Sequence, residues 1–127
     1  MIRMILAIVF AALVSGCSVL GQDEATLGAQ TVIAGGLKSP GSYTPVLTEK
    51  LWEGKTSSGH NAYVVRTVFD AQNAFGALLR DCRLTAFYIE GDRVMHSMLG
   101  SLKCEINAPP GTYSELASQM SDALKKA

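Results

Sequence analysis

The eight residues Ala62-Tyr63-Val64-Val65-Arg66-Thr67-Val68-Phe69 constrain the fold of this chain more than any other stretch. β-Branched and aromatic side chains crowd the preceding turn of a helix but pack well on a pleated surface. The run therefore predicts a strand with Tyr63, Val65, Thr67 and Phe69 on one face. A strand needs hydrogen-bonding neighbours, and the flanking segments supply them. Residues 43–52 carry Val46, Leu47, Leu51 and Trp52 in a mixed, β-like pattern, followed by a polar loop at 53–59. Beyond the run, Asp70-Ala71-Gln72-Asn73 is an interruption, and apolar stretches at 78–89 and 93–102 then flank Glu90-Gly91-Asp92. Two such stretches around a short Gly-containing loop predict a β-hairpin.

Helical signals lie outside these strands. Asp23 and Glu24 suit a helix N-terminus through the macrodipole, and Leu27, Val32, Ile33 and Leu37 make a loose apolar stripe. Gly35-Gly36 weaken the last turn and Ser39-Pro40-Gly41 stop it, so the expected helix spans residues 23–37. At the other end, Asn107-Ala108-Pro109-Pro110-Gly111 breaks the chain. Thr112-x-x-Glu115 then has the form of a capping box, ahead of Leu116, Met120 and Leu124 at helical spacing. Helix, strands, helix predicts an α+β domain over residues 23–127: a small antiparallel sheet of three to four strands with an N-terminal and a C-terminal helix packed on it. Alternation in the strands points to one covered face, with both helices on it.

The N-terminus carries a different kind of information. Arg3 precedes an apolar run from Met4 to Val14 that ends in Ser15-Gly16, the order of a secretory signal peptide. The run is shorter than the roughly 20 apolar residues a spanning helix requires. Val14-Ser15-Gly16-Cys17 resembles the lipobox of bacterial lipoproteins. That resemblance implies a signal peptide at 1–16, acylation of Cys17, palmitate included, and a lipidated tether at 17–22. Ser18 in place of Asp after the cysteine implies, by the rule of that family, transfer to the outer membrane. At about 3.3 Å per residue, residues 18–22 hold the domain within roughly 17 Å of the lipid.

With Cys17 assigned to lipid, Cys82 and Cys104 remain as a pair in an exported domain, where a disulfide forms and persists. The competing readings are a metal pair and a reactive thiol; the two cysteines lack the close Cys-x-x-Cys spacing of zinc and redox sites. Both lie at the outer ends of the expected hairpin but at unequal distances from its turn. Cross-strand pairing therefore requires a bulge or loop, most simply at Gly100-Ser101.

Composition narrows the function classes. Eleven basic side chains balance eleven acidic ones, and loss of Arg3 with a signal peptide leaves one acidic group in excess, so no cationic face for nucleic acid is expected. The sequence contains no Gly-x-Ser-x-Gly elbow, phosphate-binding glycine loop or His-Glu-x-x-His. His60 and His96, with Asp70, Asp81, Glu90 and Asp92 scattered around turns and strand ends, show no spacing that calls for a metal or an acid–base pair. No cofactor, metal or catalytic residue is expected.

The most distinctive internal strings are Leu37-Lys38-Ser39-Pro40-Gly41-Ser42 and Asn73-Ala74-Phe75-Gly76-Ala77. Together, over residues 32–83, they resemble a small domain of bacterial and phage proteins, often lipoproteins, with a Leu-Lys-x-Pro-x-Ser element and an Asn-x-Phe-Gly turn. No activity follows from that resemblance. This chain differs in carrying Gln72 where such domains often have Lys and in lacking a cysteine in the strand before the turn. On physical grounds Asn73 and Gly76 allow turn geometry and Phe75 plugs the edge of the core, with a partner-contact loop of Asn73, Phe75 and Gly76 as the alternative.

Three readings follow. The first is a non-enzymatic lipoprotein of the outer membrane that binds an envelope protein, as an assembly accessory or a phage-encoded receptor blocker. The second is an inhibitor of an envelope-acting hydrolase such as lysozyme, using the loop at 53–60 or at 70–77. The third is a small enzyme built on His60, His96 and the carboxylates.

Overall fold

The β-branched run becomes the centre of a five-stranded antiparallel sheet in the computed structural model, which describes residues 23–96 and 100–127. In chain order the elements are α1 (Glu24–Gly35), a 3-10 turn (Pro40–Ser42), β1 (Thr44–Lys55), β2 (Asn61–Gln72), β3 (Leu78–Glu90), β4 (Arg93–Met95), β5 (Ser101–Lys103) and α2 (Ser114–Lys125). The fold is α+β, with β1-β2-β3 as three long neighbours and β4 and β5 both paired to the far side of β3.

The helices lie on opposite faces of this sheet, not on one. Ala25, Ala29 and Val32 of α1 pack on Tyr63, Val65 and Phe87. Ala117, Met120 and Leu124 of α2 pack on Ala62, Val64, Leu84 and Ala86. Alternate residues of β2 thus enter different cores, and every residue from Ala62 to Phe69 is buried. An unbroken apolar run suits a strand covered on both faces, and Arg66 and Thr67 within this one only imitate alternation.

Several boundaries move for local reasons. β2 continues through Asp70-Ala71-Gln72, because Asp70 pairs with Arg80 and Gln72 with Leu78 across the ladder. β1 extends to Lys55, leaving Thr56–His60 as the turn, in which Thr56 Oγ1 accepts from His60 N–H at 3.1 Å. α1 ends two residues before Leu37, where Gly36 N–H donates to Ile33 O at 3.1 Å and Leu37 N–H to Ala34 O at 3.2 Å. Asp23 is its N-cap, accepting from Thr26 N–H at 2.9 Å, and that bond holds the Asp23 carboxyl below its ordinary pKa.

The expected stripe of α1 was misplaced at Leu27, which is 48% exposed. The face that packs is Ala25, Gly28, Ala29, Val32 and Ile33. Gly28 lies directly against the Phe87 ring, where a Cβ would overlap it. Small residues let the helix backbone approach the two aromatic rings, Tyr63 and Phe87, whose centroids are 5.7 Å apart.

The third expected strand, 93–102, is split. β4 continues the hairpin with Glu90 opposite Arg93, whereas β5 pairs Thr85 with Ser101 and Arg83 with Lys103, a register offset by three residues. Ala86 and Phe87 of β3 lie between the two paired segments. The offset brings Cys104 opposite Cys82; the disulfide joins them with Cα atoms 5.0 Å apart, and Cys104 N–H donates to Cys82 O at 3.2 Å.

The capping box does not form. Thr112 Oγ1 donates to Pro109 O at 2.7 Å and Ser114 Oγ to Gly111 O at 2.9 Å, which ties the Pro-Pro-Gly turn instead. Tyr113 is the N-cap and makes no side-chain cap bond; its hydroxyl accepts from Glu105 N–H at 2.6 Å.

Candidate functional site

The turn between β2 and β3 is the part of the described surface least explained by packing. Asn73 builds it: its side-chain oxygen accepts from Phe75 N–H at 2.9 Å and Ala77 N–H at 3.0 Å, while its backbone N–H donates to Ala77 O at 2.9 Å. Gly76 N–H donates to Asn73 O at 3.1 Å, and Gly76 sits at φ +81°, where a Cβ would be strained. Asn73 and Gly76 thus have the turn roles their types suggest. Phe75 does not plug the core. It is 94% exposed, at the tip of a turn with fixed backbone bonds.

The hairpin stretch that carries the ring is uncharged. From Ala71 to Leu79 no side chain ionises, and Leu78 and Leu79 are 61% and 54% exposed. The stretch is closed at its base by Asp70 and Arg80, opposite each other on the ladder. Arg80 Nε donates to Asp70 Oδ1 at 2.9 Å and Nη2 to Oδ2 at 3.1 Å. That fork holds the Asp70 carboxyl below, and the Arg80 guanidinium above, its ordinary pKa.

The Leu-Lys-x-Pro-x-Ser string folds against this hairpin. Leu37 and Tyr43 pack on the small core of Ile33, Phe69 and Ala71, with the Tyr43 and Phe69 ring centroids 5.3 Å apart. Ser42 Oγ donates to Ser39 O at 2.7 Å and accepts from Gln72 N–H at 2.9 Å, fastening the turn to the last residue of β2. The two strings thus share one structural unit. Gly36, Leu37, Lys38, Gln72, Asn73, Ala74 and Phe75 line a shallow notch of about 400 Å³ between them.

Other expected site residues lie elsewhere. Cys17 is outside the described residues. His60 stacks on Tyr88 with centroids 5.8 Å apart, and His96 follows β4. Among the described residues no three His, Cys, Asp or Glu side chains converge as metal ligands. The polar loop at 53–60 shrinks to a turn whose Ser57 Oγ donates to the carbonyl of Ala127. No described helix is long and apolar enough to cross a membrane.

Sequence reasoning missed Lys38, on the rim of the notch, and the exposure of Leu78 and Leu79, which it placed in a strand without asking how far the covering helices reach. It also missed Arg66, 4% exposed, whose Nη2 donates to Glu105 O and Ile106 O, each at 2.8 Å. Compared with known proteins, the chain matches no family model, no curated protein and no solved structure.

Proposed function

We propose that this chain is a lipoprotein of the outer membrane, anchored through Cys17, and that its α+β domain is a non-enzymatic module that binds an envelope protein. The observation that carries the binding role is Phe75, a large ring almost fully in water on a turn that Asn73 and Ser42 hold in place. Apolar aromatic anchors on preformed supports are what interfaces use for most of their affinity. Assembly accessory and phage-encoded receptor blocker are two forms of the same role. Support for the anchor is the order Arg3, apolar run, Ser15-Gly16-Cys17. Multiple acyl chains, at about 0.8 kcal/mol per buried CH₂, would hold the protein without help from the domain surface.

Cys17→Ser tests the anchor: palmitate labelling is lost and the protein leaves the membrane fraction, whereas unchanged attachment sinks the lipobox reading. A second reading, inhibition of an envelope-acting hydrolase, is favoured by one feature, the projecting and braced loop at 73–77, a form suited to entering a cleft. A direct lysozyme inhibition assay separates the two.

A further inference from the structure

The geometry points to a specific seat and a specific chemistry for the partner: the notch between the Lys38 turn and the Phe75 tip receives a segment of another protein that presents an apolar side chain beside a carboxylate. This rests on the protein-binding reading above and names its surface. Two strings separated by more than thirty residues in sequence form the walls, Leu37 and Lys38 on one side and Ala74 and Phe75 on the other. Both walls are braced, one by Ser42 on Gln72 and the other by Asn73 on Phe75 and Ala77, so binding orders little backbone.

Charge defines the occupant further. Asp70 and Arg80 satisfy each other, and the stretch between them is neutral. Lys38 is exposed on the rim, and among the described residues no carboxylate lies within ion-pair distance of it. A cation beside an apolar ring is complementary to an acidic group flanked by an apolar one, and the pair strengthens as the ring excludes water.

Two other occupants fit less well. The chain's own lead joins α1 at the far end of the sheet, where Glu24 Oε1 accepts from Asn61 Nδ2 and Tyr63 O–H at the start of β2. Along β2 the tip is about 36 Å from that point, at ~3.3 Å per residue. Residues 17–22 reach roughly 20 Å. A lipid surface is held by several cations around the inserted group, whereas among the described residues this tip has Lys38 alone beyond the paired Arg80.

The test is photocrosslinking of the full chain in cells, with p-benzoylphenylalanine at position 75, at position 74 on the notch wall, or at position 58 in the β1–β2 turn as the opposite-end control. Adducts at 75 and 74 are expected to map to one segment of one envelope protein, with Asp or Glu next to an apolar residue. Lys38→Glu is expected to lower the adduct yield at 75 about tenfold, the size of one good ion pair, and Lys38→Arg to keep it. Exchanging the identified carboxylate for Lys should then restore the yield with Lys38→Glu. Lipid adducts, adducts to a second copy of this chain, a segment without a carboxylate, or a yield indifferent to Lys38→Glu each overturn the proposal. Protein adducts from position 58 alone overturn this seat and leave the protein-binding role standing; no protein adduct from any position removes that role as well.

Discussion

Arg66 stands in the middle of the central strand, where a charge is costly unless its hydrogen bonds are made. Its Nη2 meets two backbone carbonyls of the chain that follows Cys104, and Nη1 lies 3.8 Å from Glu49 Oε2, while Nε is buried without a partner among the described residues. The guanidinium therefore ties the return segment at Glu105 and Ile106 to the sheet. Arg66→Met keeps the volume and removes the donors; urea unfolding should show a loss of roughly 2–3 kcal/mol, and Arg66→Lys should recover only part, since a single ammonium lacks the planar fork. Tyr63 is a second such residue. Burial, and then the bond its hydroxyl donates to Glu24 Oε1 at 2.8 Å, push its pKa up to about 12. Because the folded pKa exceeds the unfolded value near 10, the contribution is complete below pH 10 and is lost as pH rises from 10 to about 12. Unfolding measured across that window should fall more steeply for the wild type than for Tyr63→Phe, by on the order of 2 kcal/mol. Residue types alone made Tyr63 a core aromatic; that its hydroxyl would meet Glu24 depended on the docking of α1.

At the scale of elements, β4 and β5 show how a register is set. Continued in the register of β4, a simple hairpin would set Cys104 opposite Leu79; the three-residue offset of β5 aligns it with Cys82 instead. The unequal distances of the two cysteines from Gly91 made the need for an insertion legible in the sequence, though not the size of the register change between β4 and β5. The bridge closes a loop with a sequence separation of 22, for which loop entropy gives about 3 kcal/mol. Cys82→Ser combined with Cys104→Ser should lower the unfolding free energy by that order, with β5 the first segment to lose amide-exchange protection. β1, on the open edge, has bulges after Pro45 and after Lys50, and the second brings Leu51 and Trp52 together against the α2 core. Bulges, a proline and charges such as Lys50 and Glu53, 2.9 Å apart, are the features by which edge strands resist pairing with other chains. The helix α1 carries the same lesson from another side. Of the large residues that suggested its packing face, Val32 and Ile33 are buried and Leu27 is not, and Gly28 with the alanines fills the rest, because the sheet beneath presents Tyr63 and Phe87.

For the whole molecule, the decisive fact is that the helices take opposite faces and leave the Phe75 end bare. The Phe75 ring belongs to none of the three cores. Phe75→Ser should therefore change the unfolding midpoint by less than about 0.5 kcal/mol equivalent, while abolishing partner capture. A comparable loss of stability would mean that the ring packs. The α+β class, the strand at 62–69, the hairpin turn at Gly91, both helices and the turn roles of Asn73 and Gly76 were determined by the sequence. Each depends on interactions within a few residues: side-chain crowding at χ1, capping, and glycine at positive φ. What only the tertiary structure decided was which face each helix covers, which bonds Thr112 and Tyr113 make, and whether Phe75 meets core or water. Those outcomes turn on surfaces brought together from distant parts of the chain. An apolar residue in a turn has the same local signature whether a helix reaches it or stops short, and here both helices stop short.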